Sequence, residues 1–182
     1  MKMLLQFIIS LLLYLVVSTQ TLAFVSSPIS SYVSPGPTVE YNFPYVGLLP
    51  DHPLYLLKVS RDRILLFFTR DPEKKVHLNL LFSDKRLVMG QLLWEKGNIE
   101  LSVTTLGKGE KYLLSAAVDL AALKKQENLP PGLSDKMELA AKKHEEVIMK
   151  LINSSDDEVK RQGLNLALGI NHQATQQILS VK

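Results

Sequence analysis

His52, His77, His144 and His172 are the side chains in this sequence best suited to proton transfer or metal binding near neutral pH. None lies four residues from another, so no helix turn carries the paired imidazoles of a helical metal site. His144 falls near the apolar stripe of a helical segment, which makes it a partly buried structural residue rather than a ligand. Asp156-Asp157-Glu158 has charge enough to attract a cation, but it lacks the spaced oxygens and central glycine of a calcium loop. It reads better as the acidic start of a helix. No Gly-x-Ser-x-Gly, Ser-x-x-Lys, His-Glu-x-x-His or phosphate-loop pattern occurs. Cysteine is absent, which removes disulfides, thiolate zinc sites, thiol catalysis and a cysteine-linked lipid anchor. No catalytic, cofactor-binding or metal-binding residue is therefore assigned, no cofactor is expected, and the expected reading is not an enzyme.

Charge excludes another class. Lys and Arg number 21 against 18 Asp and Glu, a formal net charge of +3. That is too small, and too evenly interspersed, for a nucleic-acid-binding protein. Lys58, Arg61, Arg63, Arg70, Lys74 and Lys75 do gather beside Phe67 and Phe68, a composition that raises the question of an anionic membrane surface or polymer. Asp51, Asp62, Asp71 and Glu73 offset most of that charge, and an ordinary solvated face is the expectation. Asn153-Ser154-Ser155 fits a glycosylation sequon, which matters only in a eukaryotic secretory route.

Residues 1–23 have the form of a secretory signal peptide. Lys2 gives the positive start, residues 7–17 the apolar run interrupted by Ser10, and Thr21-Leu22-Ala23 a small-residue cleavage site. The run falls short of the roughly 20 apolar residues that span a bilayer, so cleavage is favoured over retention as an anchor. Either way the remainder is expected to be secreted or extracytoplasmic, touching membrane only through the leader if it is kept. Residues 24–47 carry Pro28, Pro35, Pro37 and Pro44 among serines, a flexible and partly polyproline-like linker. Tyr32, Tyr41, Phe43 and Tyr45 are unusually aromatic for a spacer, and the last of them are expected to tuck against the domain.

Residues 48–182 then read as an all-α bundle of about five long, mostly antiparallel helices. The first starts with Asp51 as N-cap and Pro53 in its first turn and stops near Thr69, because Pro72 disfavours helical geometry at Asp71. Its second half, Ile64 to Phe68, is apolar on every side and calls for burial on more than one face. The second helix has Asp71 as N-cap, Pro72 at N1 and Gly97 beyond its end. Val76, Leu80, Ser83, Leu87, Gly90 and Trp94 form one seam along it, with a second through Leu78, Leu81, Val88 and Leu92. Two seams make this helix central, and Ser83 and Gly90 are small enough to admit a neighbouring backbone. The third helix, about 98–126, buries Ile99, Val103, Leu106, Leu113, Ala117 and Leu120, with a bend allowed at Gly107 and Gly109. Leu129-Pro130-Pro131-Gly132 breaks the chain. The fourth, about 134–152, buries Met137, Ala140, Ala141, Val147, Ile148 and Leu151, with Glu138–Lys142 and Glu146–Lys150 pairs on its wet face. The fifth opens on a Ser155-to-Glu158 capping box and runs towards Ile178, weakened by Gly163 and Gly169, with an end expected to fray.

Three blocks carry a resemblance: Leu49-Pro50-Asp51-His52-Pro53-Leu54-Tyr55-Leu56-Leu57-Lys58, Thr69-Arg70-Asp71-Pro72-Glu73-Lys74-Lys75, and the pair Arg86-Leu87. Together they resemble a family of uncharacterised extracytoplasmic helical domains, a domain of unknown function. Such domains are marked by Leu-Pro-Asp-x-Pro-Leu-Tyr and Asp-Pro-x-Lys-Lys. This chain has Val88-Met89 where the family tends to carry a small residue and Glu. The resemblance implies a helical fold and an extracytoplasmic location, and no activity. The expected function is thus an exported, non-enzymatic interaction or structural module, with an unknown protein partner on an apolar helix face. The alternative is a small-ligand or metal-binding helical bundle of the cell envelope.

Overall fold

The computed structural model describes residues 39–182; the expected leader and the earlier part of the linker, Tyr32 included, lie outside the described residues. Five helices follow one another: α1 (Tyr55–Phe68), α2 (Pro72–Glu95), α3 (Ile99–Lys125), α4 (Leu133–Asn153) and α5 (Glu158–Leu179), with no strand among the described residues.

Local chemistry sets most of the helix ends. The Asp71 carboxylate accepts the Glu73 and Lys74 backbone N–H groups, and Pro72 occupies the first turn of α2. At the other end Gly97 takes φ +78°, letting Asn98 N–H reach the Leu93 carbonyl and its own N–H reach that of Trp94. Two expected caps move. Asp51 does not cap α1: its carboxylate pairs with Lys96 at 3.0 Å, the His52 imidazole accepts the Leu54 N–H, and the helix begins only after the 49–55 turns. At α5 the cap is Asp157 rather than Ser155, its carboxylate accepting the Val159 and Lys160 N–H groups.

Helices α2 to α5 run up, down, up and down. Asn79 pairs with Asp119 and Gly90 with Ser102, so α2 and α3 are antiparallel. Glycine makes their approach close. The Ser102 hydroxyl donates to the Gly90 carbonyl at 2.6 Å, and a Cβ on Gly109 would lie 3.2 Å from Arg86 Cβ. Helix α3 passes through Gly107 and Gly109, and α5 through Gly163 and Gly169, without interruption, and α5 holds to Leu179. Gly163 lies against Val103, where a Cβ would sit 2.5 Å from Cγ1.

Helix α3 packs along α2 and α5, and α5 along α4, whereas α2 and α4 barely meet. The segment before α1 bridges those two helices. Val39 N–H donates to Glu146 on α4, the Tyr41 hydroxyl donates to Asp84 on α2 at 2.7 Å, and the Phe43 ring lies 6.0 Å from the His144 ring. The bound part of the chain thus extends N-terminal of Leu48, and two linker aromatics do tuck in, while Tyr45 stays exposed.

Three further expectations fail on contact. Helix α2 buries Asn79, Phe82, Arg86, Met89 and Leu93 as its second seam; Leu78, Leu81, Val88 and Leu92 are only half-buried. Glu146 pairs with Lys143 rather than Lys150, and its other oxygen holds Val39 N–H. The apolar end of α1 is not buried on several faces. Phe67 is 83% and Phe68 73% exposed.

Candidate functional site

The bundle core is not continuous. One apolar cluster, built on Leu80, Leu113, Ala140 and Ala174, fills one end. A second, built on Leu87, Leu106, Val147 and Ala167, fills the other. Between them each helix contributes one polar side chain: Asp84 from α2, Glu110 from α3, His144 from α4 and Asn171 from α5. Each stands four residues after one buried apolar residue and three before another, the spacing that keeps a side chain on the inward face of a helix. All four are buried, and His144, Glu110 and Asn171 are 0% exposed.

The imidazole is clamped on both sides. His144 Nδ1 lies 2.8 Å from Glu110 Oε1 and Nε2 3.0 Å from Asp84 Oδ1. A carboxylate only accepts, so two carboxylates on one ring require both nitrogens to donate, which makes the ring an imidazolium. The remaining oxygens are also used. Glu110 Oε2 accepts from Asn171 Nδ2 at 3.0 Å, and Asp84 Oδ2 accepts from the Tyr41 hydroxyl at 2.7 Å. Asn171 Nδ2 also reaches the Ala141 carbonyl. Burial by itself would drive the imidazolium to lose its proton; the Glu110 charge and the bonds to Asp84 and Glu110 overcome it and raise the His144 pKa to about 9. Burial, then the Asp84 charge, hold the Tyr41 phenol well above its usual range, so it stays a donor.

The polar atoms of this layer face one another. No group of three His, Cys, Asp or Glu side chains is arranged to hold a metal ion among the described residues. An open depression beside Trp94, Ile99 and the 154–157 turn lies away from the layer. The Asp157 carboxylate within it is occupied by two backbone N–H groups and Lys160. Of the other histidines, His52 stabilises the turn before α1, and His77 and His172 face Glu73 and Glu145 on the surface. His144, expected to be partly buried, is wholly buried, and its partners are Glu110 and Asp84. The signal was present: in each of four helices a polar residue interrupts the apolar spacing at one of these positions.

A second feature lies on α1. Tyr55, Lys58, Val59, Asp62, Leu66 and Thr69 follow a helical stripe that faces the rest of the molecule, and Asp62 is buried. The opposite side carries Leu56, Leu57, Ile64, Leu65, Phe67 and Phe68, all exposed, with Ser60, Arg61 and Arg63. A surface helix of a globular protein ordinarily turns its apolar stripe inward and its charges out. Here an acid and a lysine point in and the hydrocarbon points out. Lys58 anchors the helix by donating to the Val46 and Leu48 carbonyls, and Arg61 spans back to Asp62 at 2.8 Å.

The family model described as Domain of unknown function (DUF5667) matches residues 47–178, and the chain belongs to that family. No curated protein and no solved structure matches the chain.

Proposed function

We propose that the chain is an exported, non-enzymatic docking module, a helical bundle that presents the outward side of α1 to a partner. The observation that carries this reading is the inverted amphipathicity of α1. Phe67 and Phe68 alone leave roughly 300 Å² of aromatic surface in water, about the whole of the largest patch on an ordinary monomer. It is the other side of α1, through Tyr55, Lys58, Val59, Asp62 and Leu66, that is buried or half-buried. Export is supported by the signal-like pattern of residues 1–23. The non-enzymatic reading is supported by the sealed polar layer, in which each carboxylate oxygen and imidazole nitrogen has a partner inside the protein. For the same reason a ligand- or metal-binding bundle receives less support.

The test is a photoreactive residue replacing Leu57 in the full chain in its own host, beside the same residue replacing the exposed Val159 on α5. Adducts at position 57 and not at 159 are expected. Equal labelling at both, or none at 57, overturns the reading. In parallel, Leu57→Ser with Phe68→Ser should remove the adduct partner's binding yet shift stability by no more than about 0.5 kcal/mol.

A further inference from the structure

We infer that the occupant of the α1 face is the surface of an anionic phospholipid bilayer, with α1 lying in the interfacial plane; this rests on the docking reading above and names its partner. Three observations favour lipid over another helix. The first is width. At about 100° per residue, Leu56, Phe67, Ile64, Leu57, Phe68 and Leu65 spread over roughly half the helix circumference. A partner helix in a coiled-coil seam needs a narrower stripe.

The second is charge. The outward side holds Arg61 and Arg63 and no acid, because Asp62 is turned inward to 7% side-chain exposure and Asp51 is tied to Lys96. Arg63, and Arg70 just past the helix end, make no ion pair among the described residues, and both are exposed. The near balance of charges along the sequence from Asp51 to Lys75 thus resolves in space, with the unpaired positive charge beside the hydrocarbon. The third follows from symmetry. A second copy docked α1 to α1 would add no free carboxylate for Arg63, since Asp62 is turned inward and taken by Arg61, so the face is not self-complementary. An apolar half rich in Leu and Phe, edged by Arg, is the composition of helices that sink into the headgroup boundary. At 14 residues α1 is about 21 Å long.

The absence of cysteine makes the test clean. Phe68→Cys and, separately, Val159→Cys in the full chain are labelled with a polarity-sensitive fluorophore. Each is titrated with phosphatidylcholine vesicles and with vesicles containing one-third phosphatidylglycerol. A blue shift of the label at 68, stronger with phosphatidylglycerol and reduced by salt, is expected, with no change at 159. Arg63→Gln should weaken that partition about fivefold, the effect of one basic residue near an anionic surface. No shift with either vesicle, an equal shift with both, or the same shift at 159 overturns the lipid assignment. A shift that grows with protein concentration in the absence of lipid also overturns it, in favour of a second copy. The two readings fail differently: a protein adduct at position 57 with no vesicle response leaves docking standing and removes lipid, whereas no adduct and no response removes both.

Discussion

Raising the pH should remove the stabilisation that His144 contributes to this bundle. His144 holds a proton in the folded state with a pKa of about 9, against about 6.5 for an unfolded histidine. Between those values the folded chain binds more protons than the unfolded one, so stability falls as pH rises. The contribution is complete below about pH 6.5 and gone above about pH 9 to 10. For a difference of about 2.5 units the loss from pH 7 to pH 10 is about 2–3 kcal/mol, a large share of the 5–15 kcal/mol of a typical domain. Lys58, held down to about 8 chiefly by burial, titrates in the same window with the opposite sign, so the wild-type curve must be compared with that of His144→Gln. Urea unfolding at half-unit pH steps should show the wild type losing its advantage over the variant as pH climbs. The ring carbon-bound proton resonances of His144 should titrate near pH 9. A parallel pair of curves, or a ring that titrates at or below 6.5, would refute the clamped imidazolium.

Tyr41→Phe removes the hydroxyl on Asp84 Oδ2 and should cost about 1–3 kcal/mol in urea denaturation, the range for a hydrogen bond to a charged group. Gly90→Ala drives a methyl to 2.5 Å from Leu106 Cγ and should lose about 1–3 kcal/mol by overpacking, more than the helix propensity it gains. Gly107→Ala meets nothing within 4 Å and should raise stability by up to about 1 kcal/mol; thermal unfolding of the two variants checks the opposite signs. Asp157→Ala, which frees the Val159 and Lys160 N–H groups, should lower stability by the same measurement.

The elements that punctuate the chain were legible because their causes are local. Asp71-Pro72, Gly97 and the Pro130-Pro131-Gly132 break act within a few residues, and each ends or starts a helix where expected. Spacing also located Leu87, Leu113, Met137 and Ile148 in the core. What stayed hidden depends on partners far away in sequence. Nothing local marks Asp84 and Glu110 as core residues; the fold brings His144 between them, across separations of 60 and 34 residues. The second seam of α2 was misplaced for a related reason. Asn79 and Arg86 do not look like core residues, yet Asn79 finds Asp119, and the Arg86 guanidinium lies 4.3 Å from the Tyr112 ring centroid. The burial expected for Ile64 to Phe68 failed because hydrophobicity states a preference for leaving water without naming what receives it.

The polar layer and the exposed helix are connected by what each leaves the other to do. The side chains of Asp84, Glu110 and His144 and the N–H group of the Asn171 amide pair with one another in this alignment. Sliding any helix by a turn would bury a carboxylate against leucine at a cost of several kcal/mol. That constraint, with Tyr41 closing it from the N-terminal side, holds four helices in register without α1 supplying any of the core. Helix α1 is thereby free to carry a surface that folding would otherwise consume, with Lys58 on its inward side bonded to the Val46 and Leu48 carbonyls. The bundle, on this view, is the rigid mount and α1 the working face. A chain in which α1 were simply a poorly packed core helix would instead lose stability on Leu57→Ser and Phe68→Ser and gain it on Asp62→Leu, which calorimetry on those variants distinguishes directly.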